Sequence, residues 1–315
     1  MKSPRCNPTL IRGNLFAALG LTSLLKSKGV SFLDALQRIE PSRAAIVAAF
    51  KKECADGMPH NIRELLLPLL LEVSTSPYLL ADSLGMWRFG EERFWIPRFV
   101  FQRTQRAKRR IKVGIFAGVH GDEPEAVLGL VDLVRALNRR PEIAREYQLW
   151  IYPVCNPSGF VDGTRCSRAG VDLNREFWQN SSQPEIRLLE SEIRAQRFEG
   201  IISLHTDDTT DGVYGFARNG VPTERLLDFA LQMAEHALRR CESNVIDGFE
   251  AKSGIVRTCY NGVLSAPPEQ QPKPFEIVLE TPQRAPLRLQ RQAFVVALAT
   301  ILGHYRQSVL AAQPS

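Results

Sequence analysis

His120 and Glu123 stand three positions apart in the stretch Ile115–Glu125, IFAGVHGDEPE. An imidazole and a carboxylate on one turn make half of a metal site. A catalytic zinc commonly takes three protein ligands, drawn from His and carboxylate, and keeps a fourth position open. Three further polar clusters follow: Asn156-Pro-Ser-Gly159, Leu204-His205-Thr-Asp-Asp208 and Glu280-Thr-Pro-Gln283. His205 offers the third ligand. Hydrolysis of an amide at such a centre also needs a base for the water proton, a cation beside the developing oxyanion and a group that orients the substrate. Glu280, Arg165 and the Asn174–Arg175 pair are the candidates for those three tasks. An arginine suits the last because its fork takes a carboxylate through two parallel hydrogen bonds.

These residues need elements to carry them. Ile111–Ala117 reads as a buried strand that runs into HGDE, and Gln148–Val154 as a strand before NPSG. Gly200–Leu204 is a strand before His205, and Phe275–Glu280 ends on the candidate base. Each cluster therefore falls at or just after a strand's carboxyl end, where open α/β sheets collect their ligands. Helical periodicity covers Glu123–Leu137, Pro184–Ala195, Val221–Arg240 and Pro286–Tyr305. The alternation predicts an α/β fold, a three-layer α/β/α domain with a mixed central sheet. Leu79–Phe89 and Phe94–Gln102, joined by a short turn, form its antiparallel edge. Ahead of this domain (78–315) lies a helical N-terminal extension (1–77) with helices over Leu15–Lys26, Phe32–Ile39, Arg43–Lys52 and Asn61–Val73, the last interrupted at Pro68. Asp208–Asn219 and Asn244–Pro274 read as loops that border a pocket.

Composition narrows the class. The chain has 315 residues, is 44% hydrophobic and 23% charged, and carries a net charge of +6, ordinary for a globular protein. The one dense basic run, Arg103–Arg110, has no interleaved aromatic residue and reads as a solvated hairpin loop, not a nucleic-acid surface. Six cysteines (Cys6, Cys54, Cys155, Cys166, Cys241 and Cys259) are widely spaced without a CxxC pair, which points to a reducing, cytoplasmic setting. Leu15–Leu25 is apolar but lacks a cleavage pattern and reads as a helix. No segment is expected to span a membrane.

The ordered set HGDE, NPSG, RCSRAGVDLNREF, SLHTDD and VLETP resembles the zinc carboxypeptidase family, including its succinylglutamate desuccinylase/aspartoacylase branch. The resemblance covers about Tyr78 to Tyr305. It implies one zinc per chain on His120, Glu123 and His205, with Glu280 as general base. Asn174 and Arg175 would hold a substrate carboxylate. Arg165 would polarise the carbonyl, with Arg168 as competitor, and Tyr260 or Tyr214 would lie over the substrate. Asp122 is expected at the helix start, outside the ligand set, and Asp172 as an arginine partner or a support of the DLNR loop. His236 and His304 are expected as packing or surface residues, and Cys155 and Cys166 as packed small ones. The implied activity is hydrolysis of an amide beside a free carboxylate. That means either a metallocarboxypeptidase acting on peptide C-termini, cell-wall peptides among them, or a deacylase of N-acyl amino acids. The alternative from another class is a catalytically silent binding module. The oligomeric state is left open.

Overall fold

The computed structural model describes residues 62–102 and 110–311. The helices expected within 1–61 and most of the basic run lie outside these residues. The first element described is helix α1 (Ile62–Thr75), followed by strands β1 (Leu79–Phe89), β2 (Glu92–Gln102) and β3 (Ile111–Ala117). Then come α2 (Pro124–Arg139), β4 (Tyr147–Tyr152), α3 (Pro157–Asp162), α4 (Pro184–Gln196) and β5 (Gly200–Asp207). The chain continues through β6 (Tyr214–Arg218), α5 (Val221–Ala234), β7 (Val245–Ile246), β8 (Phe249–Lys252), β9 (Ile255–Val256), β10 (Phe275–Pro282) and α6 (Leu287–Ala311).

The strands form one mixed sheet in the order β1-β2-β4-β3-β5-β10-β6-β9-β8-β7. Its centre, β4-β3-β5-β10, is parallel, and the β1–β2 hairpin adds the expected antiparallel edge through β4. Ile111–Ala117 earns its central place by composition: six of its seven residues are buried, as a strand covered on both faces requires.

Helices α1, α2, α5 and α6 supply one core, in which Leu130, Leu227, Phe294 and Leu298 meet Val113 and Ile115. Helix α4 closes the other face, with Ile186, Leu189 and Ile193 against Phe116 and Phe198. Full burial of each such side chain contributes roughly 1.5–3 kcal/mol. This is the three-layer arrangement the alternation predicts.

Four expectations need correction. Pro68 does not interrupt α1, which runs through it; Leu66, Leu69, Leu70 and Val73 are buried on its core side, and that packing offsets the lost backbone bond. Asp208–Asn219 is not all loop but contains β6, and Asn244–Pro274 contains the short strands β7 to β9. Their pairing, not their composition, makes them strands. The helix expected to Arg240 ends at Ala234. Finally, α6 is long and apolar enough, at mean hydropathy 1.2, to cross a membrane by length and composition. In this fold its stripe of Ala293, Phe294, Ala297, Leu298, Ile301 and Leu302 is buried.

Candidate active site

Strand register sets the site. β5 and β10 run parallel with His205 opposite Glu280, and β10 pairs Glu280 with Tyr214 of β6. On the other side β3 aligns Ala117 with Leu204, so the turn that follows β3 brings His120 beside His205. The ring centroids are 4.8 Å apart. Glu123 is the residue before α2, whose first position is Pro124; no side chain caps that helix, so His120 is not a cap.

Among the described residues His120, Glu123 and His205 form a buried group whose ligand atoms all lie within 4.8 Å of one another. His120 Nδ1 is 2.5 Å from Glu123 Oε1. His205 Nδ1 is 3.0 Å from Glu123 Oε2 and 3.2 Å from His120 Nδ1. The far nitrogens face outward to the protein. His205 Nε2 lies 2.9 Å from Ser203 Oγ, and His120 Nε2 is 3.4 Å from Asp172 Oδ1. With His205 Nε2 bonded to Ser203 and His120 Nε2 turned toward Asp172, both Nδ1 atoms face a common centre, the arrangement metal-ligating histidines adopt. The backbone N–H of Thr206 donates to Glu123 Oε2 at 3.2 Å. Two imidazoles and one carboxylate in a buried pocket fit zinc in its open, catalytic form. Asp122 stands outside this group, as expected.

The charges within the group are uneven: burial would lower the His120 imidazole, but Glu123 and Asp172 raise it to about 8. Burial alone would push the Glu123 carboxyl up, but His205 and His120 hold it well below its usual range. Burial lowers His205 and outweighs the pull of Glu123. Burial, followed by Glu123, Asp207 and Asp247, raises the Glu280 carboxyl well above its ordinary value. A poised base requires such a shift.

Close backbone packing fixes the loops. A Cβ on Gly121 would fall 2.0 Å from the carbonyl carbon of Gly159, so HGDE and NPSG touch main chain to main chain. Asn156 braces the second loop, accepting the N–H of Gly159 at 2.9 Å. Asp172 begins the turn that carries Asn174 and Arg175, accepting Asn174 N–H at 3.0 Å. It also takes Nε and Nη2 of Arg165, both at 3.1 Å. Asp172 thus both pairs with an arginine and supports the loop.

A cavity of about 270 Å³ opens over these groups, and it is lined by His120, Glu123, His205, Arg165, Asn174, Arg175, Tyr260, Tyr214 and Glu280. Apart from Arg168, the residues singled out from the motifs for the metal, base or substrate roles therefore lie in one place. Arg165 Nη1 lies 3.3 Å from His120 Nδ1. Arg168, by contrast, is held by Asp162 and Glu92 and does not line the cavity. Tyr260 stacks under Arg175, whose guanidinium carbon is 4.2 Å from the ring centre, and donates its hydroxyl to the Asp247 carbonyl at 2.9 Å. Tyr214 donates to Asp207 at 3.1 Å.

His304 stacks on Phe229, His236 lies exposed near the end of α5, Cys155 is buried and Cys166 half-buried.

The floor of the cavity consists of three rungs across β5, β10 and β6: His205–Glu280–Tyr214, Ser203–Val278–Phe216 and Ile201–Glu276–Arg218. The third rung and Ser203 escaped the motif reading. Alternation along FEIVLE puts Glu276 on the face of Glu280 and could have revealed it. Arg218 carried no signal, because β6 was not legible as a strand.

Residues 110–245 match the succinylglutamate desuccinylase/aspartoacylase catalytic domain. No curated protein matches the sequence. The fold is similar to that of a candidate metallopeptidase from Shewanella denitrificans, with 22% identity, a TM-score of 0.66, and coverage of 78% of this chain and 90% of that one. It is also similar to a metallo-carboxypeptidase from Burkholderia cenocepacia, with 21% identity, a TM-score of 0.61 and 79% and 70% coverage. A third is a Pseudomonas aeruginosa metallo-carboxypeptidase in complex with (2-guanidinoethylmercapto)succinic acid, with 16% identity, a TM-score of 0.59 and 79% and 70% coverage. The family match covers the site-bearing part of the chain, and the solved structures share its fold.

Proposed function

We propose that this protein belongs to the zinc carboxypeptidase-like family and is a zinc-dependent hydrolase of an amide bond beside a free carboxylate, a metallocarboxypeptidase acting on peptide C-termini. One observation carries this reading: the His120–Glu123–His205 group, Glu280, Arg165 and the Asn174–Arg175 pair all line a single cavity. His120, Glu123 and His205 would hold the ion. Zinc bound there supplies Lewis acidity toward a water and toward the scissile carbonyl.

The rest falls to the protein. Arg175, stacked on Tyr260, grips the terminal carboxylate. Asn174 assists through its amide nitrogen, since its Oδ1 accepts the Leu264 N–H at 3.0 Å. Arg165 donates to the carbonyl oxygen as negative charge grows there; Arg168, committed to two carboxylates, does not. Glu280 takes the water proton and returns it to the leaving amine. Cell-wall peptides fall within this substrate class. The P. aeruginosa complex holds a succinic acid derivative, which supports a small carboxylate-bearing substrate. The widely spaced cysteines support a cytoplasmic setting.

The match to residues 110–245 favours a second reading, a deacylase of N-acyl amino acids. Mass-spectrometric analysis of products from C-terminally free peptides and from N-acyl amino acids separates the two. Release of the last residue from peptides supports the first. Cleavage of acyl amino acids alone promotes the second, and no zinc-dependent hydrolysis of either class overturns both.

A further inference from the structure

The far end of the cavity floor is charged in a way the chemistry at its near end does not need. Two residues along a strand span about 6.6 Å, so Glu276 lies about 13 Å along β10 from Glu280. The rung between them sets Val278 and Phe216 beside Ser203, and Leu264 also lines the cavity. Glu276 itself is 7% exposed. Its Oε1 accepts the Ala266 N–H at 2.9 Å, whereas its buried Oε2 has no aligned donor. Arg218 stands 3.2 Å from Oε2 as an ion pair, with 37% of its side chain exposed. The Asn219 amide is turned to the Pro274 carbonyl at 2.7 Å. Arg175, Cys259, Glu276 and Arg218 line the same cavity, so the carboxylate clamp and the charged rung face one compartment.

We infer that Glu276 reads the side chain of the amino acid held by Arg175, and that this side chain is an aliphatic stem ending in a cation. The inference rests on the proposed function only for the role of Arg175 as the clamp. The sign of the charge follows from an asymmetry of burial. A cationic head that reaches Oε2 lets the exposed Arg218 turn to solvent, and no buried charge loses its partner. An anionic head that takes Arg218 strips the buried Glu276 of its counter-ion, which is strongly unfavourable. A purely apolar side chain fills the walls but leaves Oε2 with the Arg218 ion pair and no aligned hydrogen bond. A lysine-like stem meets both the apolar walls and the charged end.

The test uses the full-length zinc-loaded protein. N-acyl dipeptides ending in lysine, norleucine or aspartate serve as substrates, and the three free amino acids serve as ligands in calorimetry. Norleucine keeps the stem and lacks the ammonium. Lysine is expected to exceed norleucine by about tenfold or more in kcat/KM and in affinity, with aspartate weakest. Glu276→Gln is expected to bring the lysine-to-norleucine ratio close to unity. Equal handling of lysine and norleucine by the wild type, or a preference for aspartate, overturns the inference whether or not the variant folds. If no substrate is cleaved yet lysine still binds tenfold better than norleucine, the charged pocket stands and the hydrolase reading falls.

Discussion

Asp172 is the residue on which the parts of the site converge. One carboxylate lies 3.4 Å from His120 Nε2, takes two contacts at 3.1 Å from Arg165, and caps the turn of Asn174 and Arg175 at 3.0 Å. Asp172→Asn keeps the shape and one acceptor. It replaces the other oxygen with an N–H₂ that faces either the imidazole or the guanidinium, both donors. The ionic partner of Arg165 is lost as well. Partners of this kind set metal affinity by 10–100-fold, so zinc should bind about 1.4–2.7 kcal/mol more weakly. A displaced Arg165 should lower kcat/KM by about a further hundredfold at saturating zinc. Competition with a fluorescent chelator reads the first quantity, and initial rates in zinc-buffered solution read the second. A variant within twofold of wild type in both would refute the view that Asp172 orients ligand and arginine together.

Arg165→Gln should lower kcat/KM by about 10²–10³-fold, whereas Arg168→Gln, whose side chain is spent on Asp162 and Glu92, should stay within a few-fold; steady-state rates on one C-terminally free peptide decide it. The pH profile should show the base. Burial and neighbouring carboxylates raise Glu280, and only its ionised form accepts a proton. Activity therefore falls as pH drops through its pKa, with an acid limb above the ordinary value of about 4.3. A flat rate down to pH 4 would contradict this. Gly121→Ala should drive the HGDE and NPSG backbones apart, since its Cβ meets Gly159 at 2.0 Å. A destabilisation of about 1–3 kcal/mol or more with lowered zinc content is the expected result, read by denaturant melts and metal analysis.

The central sheet was legible because its strands announce themselves. Ile111–Ala117 and Phe275–Glu280 are apolar runs that end in polar clusters, and parallel register then brings His205 opposite Glu280. Short motifs at strand ends sufficed to gather the candidate ligands, the candidate base and the arginines Arg165 and Arg175 around one cavity.

What escaped the sequence depends on pairing between distant segments. Strand β6 contains Gly215, and its five residues (YGFAR) hold no run that declares a strand; its ladder with β10 fixes it. Without β6, neither Arg218 nor the third rung could be placed. Ser203 was hidden for a different reason: its contact with His205 Nε2 is a side-chain geometry between residues two apart, and the apolar GIISL pattern masks it.

The most direct test is metal reconstitution. Protein stripped with a chelator should hydrolyse nothing, and titration with zinc should restore cleavage of its substrate with an endpoint at one equivalent per chain. His120→Ala and His205→Ala should abolish the stoichiometric binding. Full activity after stripping, or stoichiometric zinc retained in both variants, would contradict the assignment of His120, Glu123 and His205 as the catalytic metal site.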